Sequence, residues 1–176
     1  MSRPPAQPLT VLKDPASTGT VADIEAQFEV ILQIREETNA VAALINEAET
    51  IRAQLADLRD QVAGTGDEAE VGEVAGALDE ALIDLEMGLT DLRLSGGSAG
   101  QDALRWPRQL FAKLTSLAGY IGSSDFPPTT QQLEVHRRLQ GLLREATEEM
   151  EEIRGGELAA LNGLLQEQGI SMIIGG

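Results

Sequence analysis

The chain contains no cysteine, a single histidine and few aromatic residues. Without thiols, a disulfide framework, a thiolate zinc site and a cysteine nucleophile are all excluded. Aromatic residues make up only 3% of the sequence, against 42% for all hydrophobic residues. The core must therefore be built from Leu, Ile, Val and Ala, which suits helices packed against helices better than a β-sandwich.

Positive charge and long apolar runs are also scarce. The 176 residues include 29 acidic and 13 basic side chains, for a formal net charge of −16. This balance disfavours DNA, RNA and anionic membranes, because affinity for those partners comes from neutralising phosphates. No apolar run approaches the roughly 18 residues of a membrane span, and the start of the chain lacks the apolar centre of a signal peptide. We therefore expect no nucleic-acid partner and no membrane insertion.

The beginning of the sequence differs from the rest in its proline content. Residues 1–19 hold four of the seven prolines, and proline fixes φ and lacks an amide donor, so we predict an extended linker or arm. From there on, apolar residues recur at helical spacing, and Thr20 and Asp23 have the spacing of a capping box. No Gly or Pro interrupts residues 20–63. These features predict a first helix over 20–63, opening a helical bundle that spans 20–169.

Three further helices are indicated by the same periodicity and by the positions of glycine and proline. They are predicted over residues 67–94, 103–122 and 130–168. Thr65 and Glu68 have the spacing to cap the second helix, and Pro107 is tolerable only within the first turn of the third. The fourth helix has a bend or weak point at Gly155–Gly156, and an apolar tail over 170–176 follows it.

The least ordinary stretch is SDFPPTTQQ, Ser124–Gln132. Its two prolines cannot lie in a helix interior, and Thr129 and Gln132 have capping-box spacing, so the stretch indicates a helix stop, a rigid turn and a helix start. Four helices joined by short turns predict an all-α fold, an up-down-up-down four-helix bundle with long first and last helices. In that order the arm and the tail emerge at the same end, where we expect both to pack and form an attachment surface.

Candidate chemical sites are few. His136 lacks the glutamate three positions earlier that a carboxylate-bridged metal bundle uses, so we expect a surface or core-edge residue. The acidic run Glu148–Glu152 lacks the alternating ligands and glycine of a calcium loop, which favours a solvated helix face. Ser95–Gly100 lacks the Lys-Ser/Thr of a phosphate loop and indicates a flexible connection. Trp106 is either an exposed interface residue or a cap on the core. We predict no catalytic, cofactor-binding or metal-binding residue and no cofactor.

Short motifs occur in a recognisable order along most of the chain. The segments that carry them are Pro8–Pro15, Ala22–Phe28, Trp106–Leu114, Ser124–Gln131 and Leu158–Asn162. With their V-x-x-D-P, W-P, P-T-x-Q and L-x-x-L-N elements, they resemble the helical carboxy-terminal region of bacterial sortilin-like BNR-repeat β-propeller proteins, which are often classed as glycosyl hydrolases. The chain departs from that pattern at Ala16, where arginine is usual.

The resemblance implies an exported parent protein whose propellers carry the binding or catalytic surface, with this chain as a helical appendage. We therefore predict a non-enzymatic helical accessory or interaction domain, located in the periplasm or outside the cell. Its expected partner is a protein, either the parent propeller domain or a second copy. The alternative is a free-standing adaptor or chaperone-like bundle in the cytoplasm, whose grooves bind partner helices.

Overall fold

The computed structural model describes residues 8–94 and 105–175, of which 73% are helical and none lies in a strand. The helices are α1 Val21–Val62, α2 Glu68–Leu89, α3 Leu110–Ile121, α4 Thr130–Ile153 and α5 Ala159–Gln168, with a π-helical turn at Arg154–Leu158 between α4 and α5. The predicted all-helical class, with long first and last helices, is confirmed. In the described ranges, no helix is both long enough and apolar enough to cross a membrane.

Two helices begin at capping boxes. The Thr20 hydroxyl accepts the Asp23 amide at 3.1 Å, and the Asp23 carboxylate accepts the Thr20 amide at 2.8 Å. At the start of α4, Thr129 and Gln132 exchange the same two bonds at 3.2 and 2.8 Å. Each box satisfies two amides that have no partner within the helix. Both predicted caps are confirmed.

The junction between α1 and α2 differs from the prediction. The Thr65 hydroxyl donates to the Val62 carbonyl at 2.7 Å, so it closes α1 and does not cap α2. Asp67 is the N-cap of α2 and makes no side-chain capping bond. Gly64 has φ of 77°, the left-handed conformation that commonly ends a helix and that glycine adopts without strain.

Helix α2 ends at Leu89, short of the predicted residue 94, and α3 spans Leu110–Ile121. The predicted start of the third helix at residue 103 lies outside the described residues. The Asp91 carboxylate accepts the Arg93 amide at 3.0 Å, a local bond that competes with helix continuation. Pro107 lies before α3 and not within its first turn, because a proline disfavours helical geometry in the residue that precedes it. The predicted loop Ser95–Gly100 lies outside the described residues.

The last helix is continuous through Gly155–Gly156, but as a π turn and not as an α-helix. A Cβ atom on either glycine would meet nothing within 4 Å, so close packing does not explain the pair. Glycine is a weak helix former, and the wider π turn occurs where the α-helical backbone is least favoured. The predicted weak point is therefore a change of helix type.

The helices form three columns, and the up-down-up-down order is wrong. Arg52 pairs with Glu86 and Arg59 with Asp79, so α1 and α2 are antiparallel. Glu37 contacts His136 and Glu47 contacts Arg154, so residue numbers rise together along α1 and the last helix, and these two are parallel.

Helices α2 and α3 together make the middle column. The end of α2 and the start of α3 meet at Leu89 and Leu110, which line one small cavity. The end of α3 reaches the beginning of α1, where Gln27 donates to the Ile121 carbonyl. At 1.5 Å per residue, α2 and α3 span about 33 and 18 Å, which together cover most of the roughly 63 Å of α1. Two short helices are therefore stacked along one long one.

This topology separates the two ends of the described chain. Gly19 lies against Asp125, while Ile174 hydrogen-bonds to Gln54 near the far end of α1. In the arm, Leu9, Val11 and Leu12 are more than four-fifths exposed, whereas Ile173 is buried. The arm and the tail do not share the predicted attachment surface, because parallel first and last helices place them at opposite ends.

The core is aliphatic, as the composition indicates. Among the described residues, the buried cluster consists of Leu, Ile, Val, Ala and one Met, contributed by every helix. Phe28 and Ile45 are among the apolar residues that recur at helical spacing in the predicted first helix, but Phe28 is 58% exposed and Ile45 is only partly buried. The buried face of α1 includes Val41 and Leu55 at the predicted spacing, together with Ile34 and Ile51.

Candidate interaction surface

An open groove of about 870 Å³ lies between α3 and α4, and we call it the α3–α4 groove. Rows of side chains at three- and four-residue spacing line it on both helices, as neighbours on one helical face do. Its principal lining residues are Lys113, Leu117 and Tyr120 on α3 and Val135, Arg138 and Leu139 on α4. The groove is therefore made by one face of each of two antiparallel helices.

The floor and walls of the groove are apolar. Leu117 and Leu139 are buried at its base, whereas Tyr120 is 69% exposed and Val135 is 48% exposed. Covering such side chains is favourable by about 25 cal/mol per Å² of apolar area removed from water. An exposed apolar patch rimmed by polar residues is typical of an interaction surface.

The rim of the groove is basic. Arg108, Lys113 and Arg138 line it, and among the described residues no Asp or Glu lines the groove. The Arg108 guanidinium donates to the Ser116 hydroxyl at 2.9 Å, which holds it at the groove edge. Neither Lys113 nor Arg138 forms an ion pair with any residue in the described ranges. In a chain of net charge −16, the groove is a local reversal of sign.

The positive rim ends where the groove meets α2. Lys113 also lines a smaller cavity of about 270 Å³, together with Asp84, Glu145 and Glu149. A bound segment that ran from one cavity into the other would pass from a basic to an acidic environment. The charge of the described lining residues therefore changes sign between the two cavities.

His136 lies away from the groove and joins α4 to α1. Its Nε2 is 2.7 Å from one carboxylate oxygen of Glu37, and the Gln140 amide donates to the other at 2.7 Å. The histidine is only 4% exposed. Both oxygens of Glu37 are thus bonded across the helix interface, and His136 is a packing residue at the core edge.

Two further features considered in the sequence are the acidic run Glu148–Glu152 and Trp106. The glutamates of the Glu148–Glu152 run are exposed, and Glu151 pairs with Arg154. In the part of the chain that the structure describes, no three His, Asp or Glu side chains are placed to hold a metal ion. Trp106 is half-buried outside the apolar cluster, with the Arg93 guanidinium 3.6 Å from its ring centroid, as in a cation–π pair.

The SDFPPTTQQ turn is fastened to α1. The Gln27 side-chain amide donates to the carbonyls of Ile121, at 2.7 Å, and of Ser124. Gly19 is so close to the turn that a Cβ atom there would lie 2.0 Å from the Asp125 carbonyl oxygen. The turn therefore ends α3, starts α4 and anchors both to α1, in agreement with the structural role expected from its sequence.

Sequence reasoning did not find the α3–α4 groove. The spacing of Lys113, Leu117 and Tyr120 indicates one helical face, but not which face of which helix lies opposite. That pairing depends on α3 being stacked on α2, which no local pattern shows. Comparison of the chain with protein-family models, curated proteins and solved structures gave no match.

Proposed function

We propose that the protein is a non-enzymatic helical interaction domain that binds a partner protein through the α3–α4 groove. The partner element that fits is an acidic amphipathic helix. The observation that carries this proposal is the apolar groove whose charged lining residues, within the part of the chain that the structure describes, are all basic, in a chain of net charge −16.

The charge pattern favours a partner with localised negative charge. The acidic remainder of the protein repels a uniformly anionic polymer, whereas acidic side chains flanking an apolar stripe meet the groove alone. Lys113 and Arg138 have no carboxylate partner among the described residues, so they are available for new ion pairs. Complementary charge of this kind sets orientation and association rate more than affinity.

The dimensions favour a helix as the bound element. Helix α3 is 12 residues long, about 18 Å at 1.5 Å per residue, or roughly three turns. A helix of that length presents apolar anchors at i, i+3 or i+4 and i+7 to a groove of this kind. Packing there would cover Tyr120 and Val135 and would add a helix beside α3 and α4.

Two settings for this function follow from the sequence. In the first, the chain is an accessory domain of an exported β-propeller protein, as its resemblance implies, and the acidic helix belongs to the parent or to an associated protein. In the second, it is a free-standing cytoplasmic adaptor. A reading frame that continues upstream of Leu9 into propeller repeats would support the first setting, and an isolated frame the second.

A pair of designed peptides tests the groove. Both form amphipathic helices of about four turns with the same apolar face, one with an acidic and one with a basic polar face. We expect fluorescence anisotropy to show binding of the acidic peptide only, and the binding to weaken as salt is raised, because exposed charges are screened. Nuclear magnetic resonance shifts on binding should concentrate in α3 and α4.

A matched pair of charge reversals provides the control. Arg138→Glu changes the groove rim and should weaken binding of the acidic peptide by about tenfold or more. Arg144→Glu makes the same change on an exposed part of α4 outside the groove and should leave binding within about twofold. Equal loss in both variants, or equal affinity for both peptides, would contradict the proposal.

A further inference from the structure

The segment that follows α5 is held in a cleft of its own, remote from the α3–α4 groove. Helix α5 ends at Gly169, which has φ of 71°, and the Ile170 amide bonds back to the Leu165 carbonyl at 2.9 Å. The chain then leaves the helix, and residues 170–175 run without regular secondary structure between α5 and the second half of α1. We call this the α1–α5 cleft.

Two side-chain amides form hydrogen bonds with consecutive residues of the segment. Asn162 on α5 accepts the Ile173 amide at 2.7 Å and donates to the Ile173 carbonyl at 2.9 Å. Gln54 on α1 does the same for Ile174, at 3.0 and 2.9 Å. Each amide therefore pairs with both backbone groups of one residue, as a neighbouring strand would. The backbone groups of Ile173 bond to α5 and those of Ile174 bond to α1, as expected for successive residues of an extended chain.

The burial of the side chains differs from one position of the segment to the next. Ile173 is 7% exposed and joins the apolar core, whereas the adjacent Ile174 is 71% exposed. A Cβ atom on Gly175 would lie 3.3 Å from a Glu47 carboxylate oxygen and 3.5 Å from Leu158. The cleft thus buries an apolar residue at the first of these positions, leaves the second open and offers little room for a side chain at the third.

The segment does not fill the cleft. A cavity of about 160 Å³ remains between α1 and the segment, lined by Leu58 and Gln61 on one side and by Ser171 and Met172 on the other. Four hydrogen bonds hold the backbone of the segment, and these bonds do not depend on side-chain identity. Another polypeptide with the same three-residue pattern could therefore make the same bonds.

We propose that the α1–α5 cleft is a recognition site for an extended peptide segment of a partner protein, with the pattern apolar–any–glycine. The chain's own 170–175 segment occupies the site in cis, and a partner segment replaces it. This mode combines main-chain hydrogen bonds with the burial of one side chain, as in the binding of extended peptides by strand addition. The site is independent of the α3–α4 groove, so either proposal can fail without the other.

The test uses the full chain with a weakened cis segment and a labelled peptide of residues 169–175. The Ile173→Ser variant should bind this peptide at least about tenfold more tightly than the wild type, whose own segment competes for the site. Gly175→Val, which crowds Glu47 and Leu158, is a second way to release the segment and should act in the same direction. Circular dichroism establishes that both variants retain their helices.

Peptide variants test the position-specific pattern with matched controls. In the Ile173→Ser background, a peptide carrying the I173S change should lose about tenfold or more in affinity, and one carrying I174S should stay within about twofold. Adding Asn162→Ala to the protein should weaken peptide binding, whereas Gln166→Ala, an amide deletion on the exposed side of α5, should not.

Several results would overturn the proposal. Equal peptide affinity in the wild type, Ile173→Ser and Gly175→Val proteins would show that the cleft does not accept a segment in trans. Equal loss for the two peptide variants would remove the argument from Ile173 burial. Unchanged binding in the Asn162→Ala protein would show that the paired amide bonds are not used.

Discussion

The ion pairs between α1 and α2 predict an asymmetric response to mutation. Arg52 donates to Glu86 at 2.8 Å and to Asp79 at 3.0 Å, and its side chain is 30% exposed. Glu86 is 1% exposed, and among the described residues Arg52 is its only ion-pair partner and its second carboxylate oxygen has no hydrogen-bond partner. When Glu86 is removed, Arg52 therefore still has Asp79 and water as partners. When Arg52 is removed, the buried carboxylate of Glu86 has no partner.

The expected magnitudes follow from that difference. Arg52→Met leaves a buried, unpaired carboxylate, which costs about 3–5 kcal/mol. For a chain of this size each kcal/mol lowers the Tm by about 2–4 °C, so the Tm should fall by roughly 6–20 °C. Glu86→Leu removes the buried charge together with its unsatisfied oxygen and should cost about 1 kcal/mol or less. The double variant should be more stable than Arg52→Met alone, because the charge that made that variant unstable is gone.

Urea unfolding followed by far-ultraviolet circular dichroism at neutral pH gives the four free energies of this cycle. Arg144→Met is the control: its ion pair with Glu148 is 3.9 Å long and about two-thirds exposed, so its loss should cost less than about 0.5 kcal/mol. If Glu86→Leu destabilised the protein as much as Arg52→Met, or if the double variant were the least stable of the set, the reasoning from burial would be refuted.

Four further predictions concern the backbone, the caps and acid. Gly19→Ala should destabilise the protein by about 1–3 kcal/mol, seen in urea unfolding, because the new Cβ would lie 2.0 Å from the Asp125 carbonyl oxygen. Gly76→Ala should instead stabilise it by about 0.5–1 kcal/mol in the same assay, since a Cβ there meets nothing within 4 Å. Thr129→Ala should cost about 1 kcal/mol through loss of the α4 capping box, and Thr130→Ala, one position later, should cost less. Burial raises the pKa of Asp79, but hydrogen bonds and attraction from two arginines of α1 outweigh it and lower this pKa below 3.8. The resulting stabilisation is present above that value and is lost as pH falls through the lowered pKa, so Asp79→Asn should flatten the acid dependence of the Tm.

Local patterns in the sequence determined the helices and most of their ends. Residues at three- and four-residue spacing gave the apolar stripes, and the capping boxes at Thr20 and Thr129 gave two of the starts. These signals act between residues close in sequence, so they need no knowledge of the partner helix. Two predictions were wrong for an equally local reason: the end of α2 at residue 94 and the cap at Thr65. In each case a nearby side chain hydrogen-bonds to a backbone group other than the one that its spacing suggested.

Direction and pairing of the helices were decided only by the tertiary structure. The sequence shows four apolar stripes but not that α2 and α3 share one column, because stacking depends on the combined length of two helices matched against α1. Spacing also did not show which apolar residues of α1 are covered, since Phe28 has helical spacing and is 58% exposed.

Both proposed binding surfaces depend on that tertiary arrangement. The α3–α4 groove joins faces of two helices whose contact no local rule specifies. The α1–α5 cleft brings Gln54 to Ile174, 120 residues apart in the chain, and this is possible because the first and last helices are parallel. The sequence alone determined which apolar residues each helix could bury. Packing in three dimensions determined which polar and apolar side chains stayed exposed on the two proposed surfaces.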